Sequence, residues 1–234
     1  SGVLTFSSAP DFSNPTDSDT NNDYVVQVTS SDGSLTDTQT ITVNVTNAPT
    51  NVAPVVANVD GGSVAFTEGG SAVALDSGAD GTVTDSDSAD FDTGALTVTI
   101  ASGGDSAEDV LSIENEGSGG GQIGVSGTDV TYGGTTIGTF TGGSSGTALV
   151  ITLNANSTPT NTQALLLKLN YSNTDTDAPT TSARSVTVIL ADGDGGTSNI
   201  STVTVNVSGV NDAPVISSNG GGTTGAVSVA ENQT

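Results

Sequence analysis

The 234-residue sequence contains no cysteine, methionine, tryptophan or histidine. Without thiol or imidazole it has no thiolate nucleophile, no histidine base, no CxxC redox pair and no zinc site built from Cys or His. That removes most of the parts from which hydrolases and oxidoreductases are made. Positive charge is nearly absent too: Lys168 and Arg184 face 26 acidic residues, for a formal charge of -24. Nucleic acid is thereby excluded as a partner, because phosphate contacts need clustered Lys and Arg. The same deficit disfavours anionic membrane surfaces, and no apolar run approaches the ~20 residues that span a bilayer, so direct membrane insertion is not expected. Paired carboxylates, the one catalytic option left, serve glycosidases. Aromatic residues are few, three tyrosines and five phenylalanines, which leaves little for a sugar to stack on. The sequence is read as non-enzymatic.

What the chain does have is alternation. Tyr24, Val26 and Val28; Ile41, Val43 and Val45; Leu96, Val98 and Ile100; and Leu149, Ile151 and Leu153 each place apolar side chains two residues apart. So do Leu165, Leu167, Leu169 and Tyr171; Val186, Val188 and Leu190; and Val203, Val205 and Val207. Successive side chains of a strand point to opposite faces, so this period marks half-buried strands. No segment shows a helical period. Gly, Ser, Asn and Asp clusters such as 118–121 and 142–146 separate the strands and suit turns. The expected fold class is all-β, a sandwich of short antiparallel strands.

The sequence also repeats itself. Residues 40–54 read TITVNVTNAPTNVAP and residues 202–214 read TVTVNVSGVNDAP, each a closing strand, a linker and a proline. Asp32-Gly33 precedes the first and Asp192-Gly193-Asp194 the second. After each linker comes a Val-rich strand and an acidic residue, VAFTE at 64–68 and VSVAE at 227–231. The expected parsing is closing strands of one repeat over 1–50, a complete domain over 51–211, and opening strands of a further repeat over 212–234. Half-repeats expose sheet edges. Either the segment is cut from a tandem array, or neighbouring copies complete each other by strand addition.

These motifs resemble the bacterial cadherin-like repeats of giant secreted surface proteins, including the adhesins of type I (RTX-type) secretion. Residues 2–46 resemble the second half of such a repeat, with an Asp-Phe pair, an acidic loop and an Asp-Gly turn. Residues 64–214 resemble a longer relative, with VAFTEGG, TVTDSD, EDVLSI, LNYSNTDTDAP and the closing NDAP in order. The resemblance implies tandem Ig-like or cadherin-like Greek-key β-sandwiches, an extracellular or cell-surface location, and a role in adhesion, surface fibres or biofilm.

It also implies Ca²⁺ at the domain junctions. A hard cation collects six to eight oxygen ligands from Asp, Glu, Asn and backbone carbonyls, and this chain is rich in those donors. Carried over from cadherin-like linkers, one cluster of the complete domain comprises Glu68, Asp175, Asp177, Asn211 and Asp212. The cluster at its other end comprises Asp85, Asp87, Asp192 and Asp194, with Asp11 from the preceding repeat. The first linker departs from the pattern in having no acidic residue, and Gly69 follows Glu68 where Asn is usual. A third candidate is the loop DSDTNND, where Asp17, Asp19, Asn21 and Asp23 alternate as at the start of an EF-hand loop, but without its later glycine and glutamate. The competing reading of single residues is that Asp and Asn serve turns and solubility.

The expected function is a calcium-rigidified extracellular spacer whose partners are neighbouring repeats of the same chain or fibre. Two alternatives stay open: a filament subunit joined by strand complementation, and a carbohydrate-binding module recognising cell-surface or matrix glycans. Thr-x-Thr pairs such as Thr97 and Thr99 are read as outward strand positions, and Lys168 as an exposed strand charge.

Overall fold

The computed structural model describes residues 3–47, 50–59 and 62–213. The chain divides between Thr50 and Asn51 into two compact units. The predicted opening strands over 212–234 lie outside the described residues from 214 onward. The protein is all-β, with one short helix among the described residues.

The first unit is built on β1 (Asp23–Ser31) and β2 (Thr36–Asn44), an antiparallel pair in unbroken register from Asp23 opposite Asn44 to Ser31 opposite Thr36. Its turn is dictated by Asp32-Gly33. The Asp32 carboxylate accepts the Ser34 and Leu35 N–H groups, both at 2.8 Å, and Gly33 takes a φ of +94°, where a side chain is strained. Phe6 meets Tyr24 edge to face at 5.1 Å. Several large apolar residues nevertheless stay exposed, among them Leu35, Val25 and Val28.

The second unit contains β3 (Val55–Ala57), β4 (Ser63–Thr67), β5 (Val73–Ala74), β6 (Thr82–Thr84), β7 (Ala95–Ser102) and β8 (Asp109–Ile113). It continues through β9 (Ile123–Ser126), β10 (Asp129–Tyr132), β11 (Thr135–Thr141), β12 (Leu149–Leu153), the helix α1 (Pro159–Leu166), β13 (Leu169–Asn173), β14 (Arg184–Ala191) and β15 (Ser201–Ser208). Eight strands form one sheet in the order β4-β15-β14-β7-β12-β11-β10-β9; three form a second, β5-β13-β8; and β3 pairs with β6. The large sheet is antiparallel except at one edge, where the opening strand β4 runs parallel to the closing strand β15.

The alternation predicted from sequence becomes the core. Val203 and Val205 of β15, Val186, Val188 and Leu190 of β14, and Leu96 and Val98 of β7 are fully buried, as are Leu169 and Tyr171 of the smaller sheet or nearly so. Phe66 and Tyr171 bridge the two sheets edge to face at 5.5 Å, a geometry worth roughly 0.5–1.5 kcal/mol beyond burial.

One expected strand is partly a helix. Leu165 lies in α1, Leu167 caps it, and only Leu169 and Tyr171 are in β13. Thr158 caps the helix through its side chain, which accepts the Asn161 N–H, and Pro159 opens the first turn, where its missing N–H costs nothing. Thr162, Leu165 and Leu166 then bury one face of the helix. Lys168 follows the helix rather than standing on a strand. Its ammonium pairs with Glu116 at 2.8 Å and Glu114 at 3.7 Å. The pairing raises the Lys168 pKa and lowers that of Glu116.

Candidate metal sites

The acidic loop of the first unit is organised by its own carboxylates. Asp17 accepts the Asn21 and Asn22 N–H groups at 2.9 and 3.2 Å, Asp19 accepts the Asn21 side-chain amide, and Asn21 in turn accepts the Asp23 N–H at 2.7 Å. Thr20 and Asn22 take positive φ to close the loop. Asp11 caps a separate turn by accepting the Ser13 N–H at 2.9 Å.

In the second unit, two of the predicted ligands, Asp192 and Asp87, hold the chain where it enters, and Asp85 and Asp194 lie two residues from them in sequence. Asp192 is fully buried and accepts the Asn51 side chain at 2.8 Å, the Asp194 N–H at 2.8 Å and the Gly196 N–H at 2.9 Å. Burial opposes ionisation of Asp192, but these hydrogen bonds outweigh it and its pKa lies below the usual carboxylate range. Asp87 accepts the Val52 N–H at 3.0 Å, and Asp85 accepts the Asp87 and Ser88 N–H groups, both at 3.1 Å.

The set predicted for the other end is divided. Glu68, at the end of β4, accepts the Val210 N–H at 2.6 Å and so grips the chain as it leaves β15. Asp175 belongs to another arrangement: its carboxylate accepts the Asp177 and Ala178 N–H groups, which lower its pKa, and it lines a depression with Asp105, Glu108 and Thr180. Asn211 donates to the Asp212 carbonyl. Among the described residues, no three Asp or Glu side chains converge as a ready-made ion cage.

The donor chemistry nevertheless fits a hard cation. Glu68 Oε1, Asp85 Oδ2 and Asp17 Oδ1 are buried and have no hydrogen-bond partner. They are the only carboxylate oxygens so placed among the described residues, and all three belong to residues read from sequence as ligands. Asn22 Oδ1 and Ser88 Oγ, beside Asp17 and Asp85, are orphaned as well. A buried carboxylate oxygen without a donor is costly unless water or a cation meets it.

Sequence reasoning gave Arg184 no role, yet Arg184 has a polar partner for every nitrogen of its side chain. Fully buried at the start of β14, it donates from Nε to Asp109 at 3.0 Å and from a terminal nitrogen to Glu108 at 2.7 Å. Its other terminal nitrogen donates to the Thr180 and Ser182 carbonyls. Tyr171 donates its hydroxyl to Asp109; burial, reinforced by that carboxylate, pushes the phenol pKa upward. The network ties β8, β13 and β14 to the loop that carries Asp175. One signal was available: Arg184 continues the inward alternation of Val186, Val188 and Leu190, and a charge at an inward position needs buried partners.

No helix among the described residues is long and apolar enough to cross a membrane. The sequence matches no family model and no curated protein.

Proposed function

We propose that this chain is a non-catalytic part of an extracellular β-repeat array, a spacer whose loops and junctions are braced by Ca²⁺. The observation that carries the reading is the coincidence just described: the buried carboxylate oxygens left without donors are those of Glu68, Asp85 and Asp17. Gathered carboxylates repel one another, and a bound cation reverses that balance. Asp87 also holds a backbone N–H where the chain enters the second unit, and Glu68 one just after β15, so an ion at these places would stiffen the segments they grip. The cadherin-like motif order and the acidic composition support the same reading.

Extracellular modules bind Ca²⁺ with dissociation constants of roughly 10⁻⁴ to 10⁻³ M, weak enough to leave such a chain unbraced in a calcium-poor cytosol and braced outside. Calorimetric titration of the 234-residue chain with CaCl₂ tests the proposal. Saturable binding in that range is expected, with sites lost separately in Asp17→Asn, Asp85→Asn and Glu68→Gln. Absence of binding at about 10 mM, tenfold above the weak limit of such modules, would contradict it.

A further inference from the structure

Four described serines of the second unit are buried, and three of them have an evident partner. Ser157 donates its hydroxyl to the Ile137 carbonyl, Ser198 to the Asn199 carbonyl at 2.8 Å and Ser201 to the Val56 carbonyl at 3.4 Å. Ser88 differs: it is 9% exposed, and its Oγ has no partner among the described residues. A serine hydroxyl can turn about its Cβ–Oγ bond to find an acceptor, and a buried one normally does. An acceptor with the same need lies in the same turn. The Ser88 N–H donates to Asp85 Oδ1 at 3.1 Å, while Asp85 Oδ2, also buried, is unpartnered. Yet the hydroxyl and that carboxylate oxygen do not bond to each other.

Two oxygens that keep apart in this way suit a cation that takes both as ligands. A hydroxyl offers Ca²⁺ the same lone pairs as a water, and oxygens each about 2.3–2.6 Å from one ion need no bond between themselves. We infer that Ser88 is a ligand of the ion held at Asp85, with Ser88 Oγ and Asp85 Oδ2 on one cation, and that filling this site tightens the hold of the turn on Val52. The inference rests on the calcium reading proposed above and adds a neutral ligand that the acidic pattern of the sequence does not reveal.

The hold on Val52 follows from the layout of residues 85–88. Asp85 Oδ1 gathers the Asp87 and Ser88 N–H groups, both at 3.1 Å, and Asp87 reaches from the same turn to the Val52 N–H at 3.0 Å. An ion joining Asp85 to Ser88 closes the turn across the residue that grips the entering chain. Linkage makes the effect reciprocal: a seated Val52 favours the ion as the ion favours a seated Val52. A water bridging the two oxygens is the competing occupant, and dependence on calcium separates the two.

The test uses the full 234-residue chain carrying Asp17→Asn and Glu68→Gln, which keeps the Asp85 site alone of those proposed. It is titrated calorimetrically with CaCl₂ and melted in calcium and in chelator. Adding Ser88→Ala should weaken binding at least about tenfold, the scale on which even outer-shell partners of a metal act. The melting temperature in chelator should stay unchanged or rise, because the hydroxyl removed is buried without a bond. Ser86→Ala, exposed in the same turn, should alter neither, and Ser157→Ala should lower melting in both conditions by deleting a bonded hydroxyl. Calcium should slow exchange of the Val52 amide proton about tenfold, and Ser88→Ala should remove that protection. Unchanged affinity in Ser88→Ala, with binding lost in Asp85→Asn, would overturn the inference and leave calcium at Asp85 in place. A fall in the chelator melting temperature like that of Ser157→Ala would overturn it by exposing a structural bond, and Val52 exchange indifferent to calcium would overturn the coupling. No saturable binding by the unaltered chain would overturn the inference and the calcium reading together.

Discussion

The hairpin of β1 and β2 and the pair β14 and β15 share a sequence pattern and an Asp-Gly step after the first strand, although four residues connect the first pair and nine the second, yet they differ in burial. Val26 faces Ile41 as Val186 faces Val203. Asp32 and Asp192 both fold their carboxylates back onto backbone N–H groups of the turn, and Gly33 and Gly193 both take a φ of +94°. In β14 and β15 the inward valines are fully buried, whereas Val28 and Ile41 are 49% and 37% exposed. Local sequence therefore specifies the hairpin and its turn. Burial comes from strands distant in the chain: β7 and β4, which flank β14 and β15, have no counterparts beside β1 and β2 among the described residues.

The largest difference between the hairpins should appear at the start of their first strands, where Arg184 occupies the position of Tyr24. Replacing Arg184 with Leu strands Glu108 and Asp109 in the core. It should cost about 3–5 kcal/mol, read by urea unfolding of the second unit, whereas Tyr24→Ala should leave that transition where it is. Equal and small effects would mean that the buried network is not what holds β14.

The glycines sharpen the comparison next. A Cβ on Gly193 would clash with the Asp92 carbonyl, while one on Gly33 would meet nothing within 4 Å. Both substitutions carry left-handed strain of roughly 1–2 kcal/mol, but Gly193→Ala should lose about 2–4 kcal/mol in all because backbone must also move. Hydrogen exchange at the amides of β15 and of β2 reads the two effects separately. Truncating the equivalent valines comes after: Val205→Ala should cost about 2 kcal/mol, and Val43→Ala, half-exposed, under about 1 kcal/mol.

Acid should separate the hairpins least, because the turn carboxylates are alike. Asp32 is held below its ordinary pKa by the Leu35 and Ser34 N–H groups, and Asp192 by Asn51 and the turn amides against the cost of burial. A carboxylate with a depressed folded pKa stabilises the fold above the unfolded value of about 3.9 and loses that contribution as pH falls through the folded value. Melting temperature should thus be flat from neutrality down to about pH 5 and fall below about pH 4, with Asp192→Asn removing part of the fall.

Much of the fold was legible in the sequence because strand alternation is a local signal. β7, β12, β14 and β15 lie where Leu96, Leu149, Val186 and Val203 begin their patterns. The leucines from 165 to 169 misled because α1 and β13 abut, and two residue types of period merge there. The Arg184 network was hidden for another reason: its partners Glu108 and Asp109 are some 75 positions away, and no spacing reports a contact of that range. Of the residues read from the sequence as candidate ligands, Glu68, Asp85 and Asp17 each carry an orphaned oxygen, and Asp175 was grouped with Glu68. The structure instead sets Asp175 beside Asp105 and Glu108, a choice made by the Arg184 network that anchors its loop.

The most direct test of a calcium-braced spacer is small-angle X-ray scattering of the 234-residue chain in about 5 mM CaCl₂, above the roughly 10⁻⁴ to 10⁻³ M affinity of such modules, and in excess chelator. The measurement is made at concentrations where sedimentation shows the monomer. A longer maximum dimension and a narrower distribution of conformations in calcium, lost on chelation, is the expected result. Identical scattering in the two conditions would contradict calcium bracing and leave Glu68, Asp85 and Asp17 as turn-forming carboxylates.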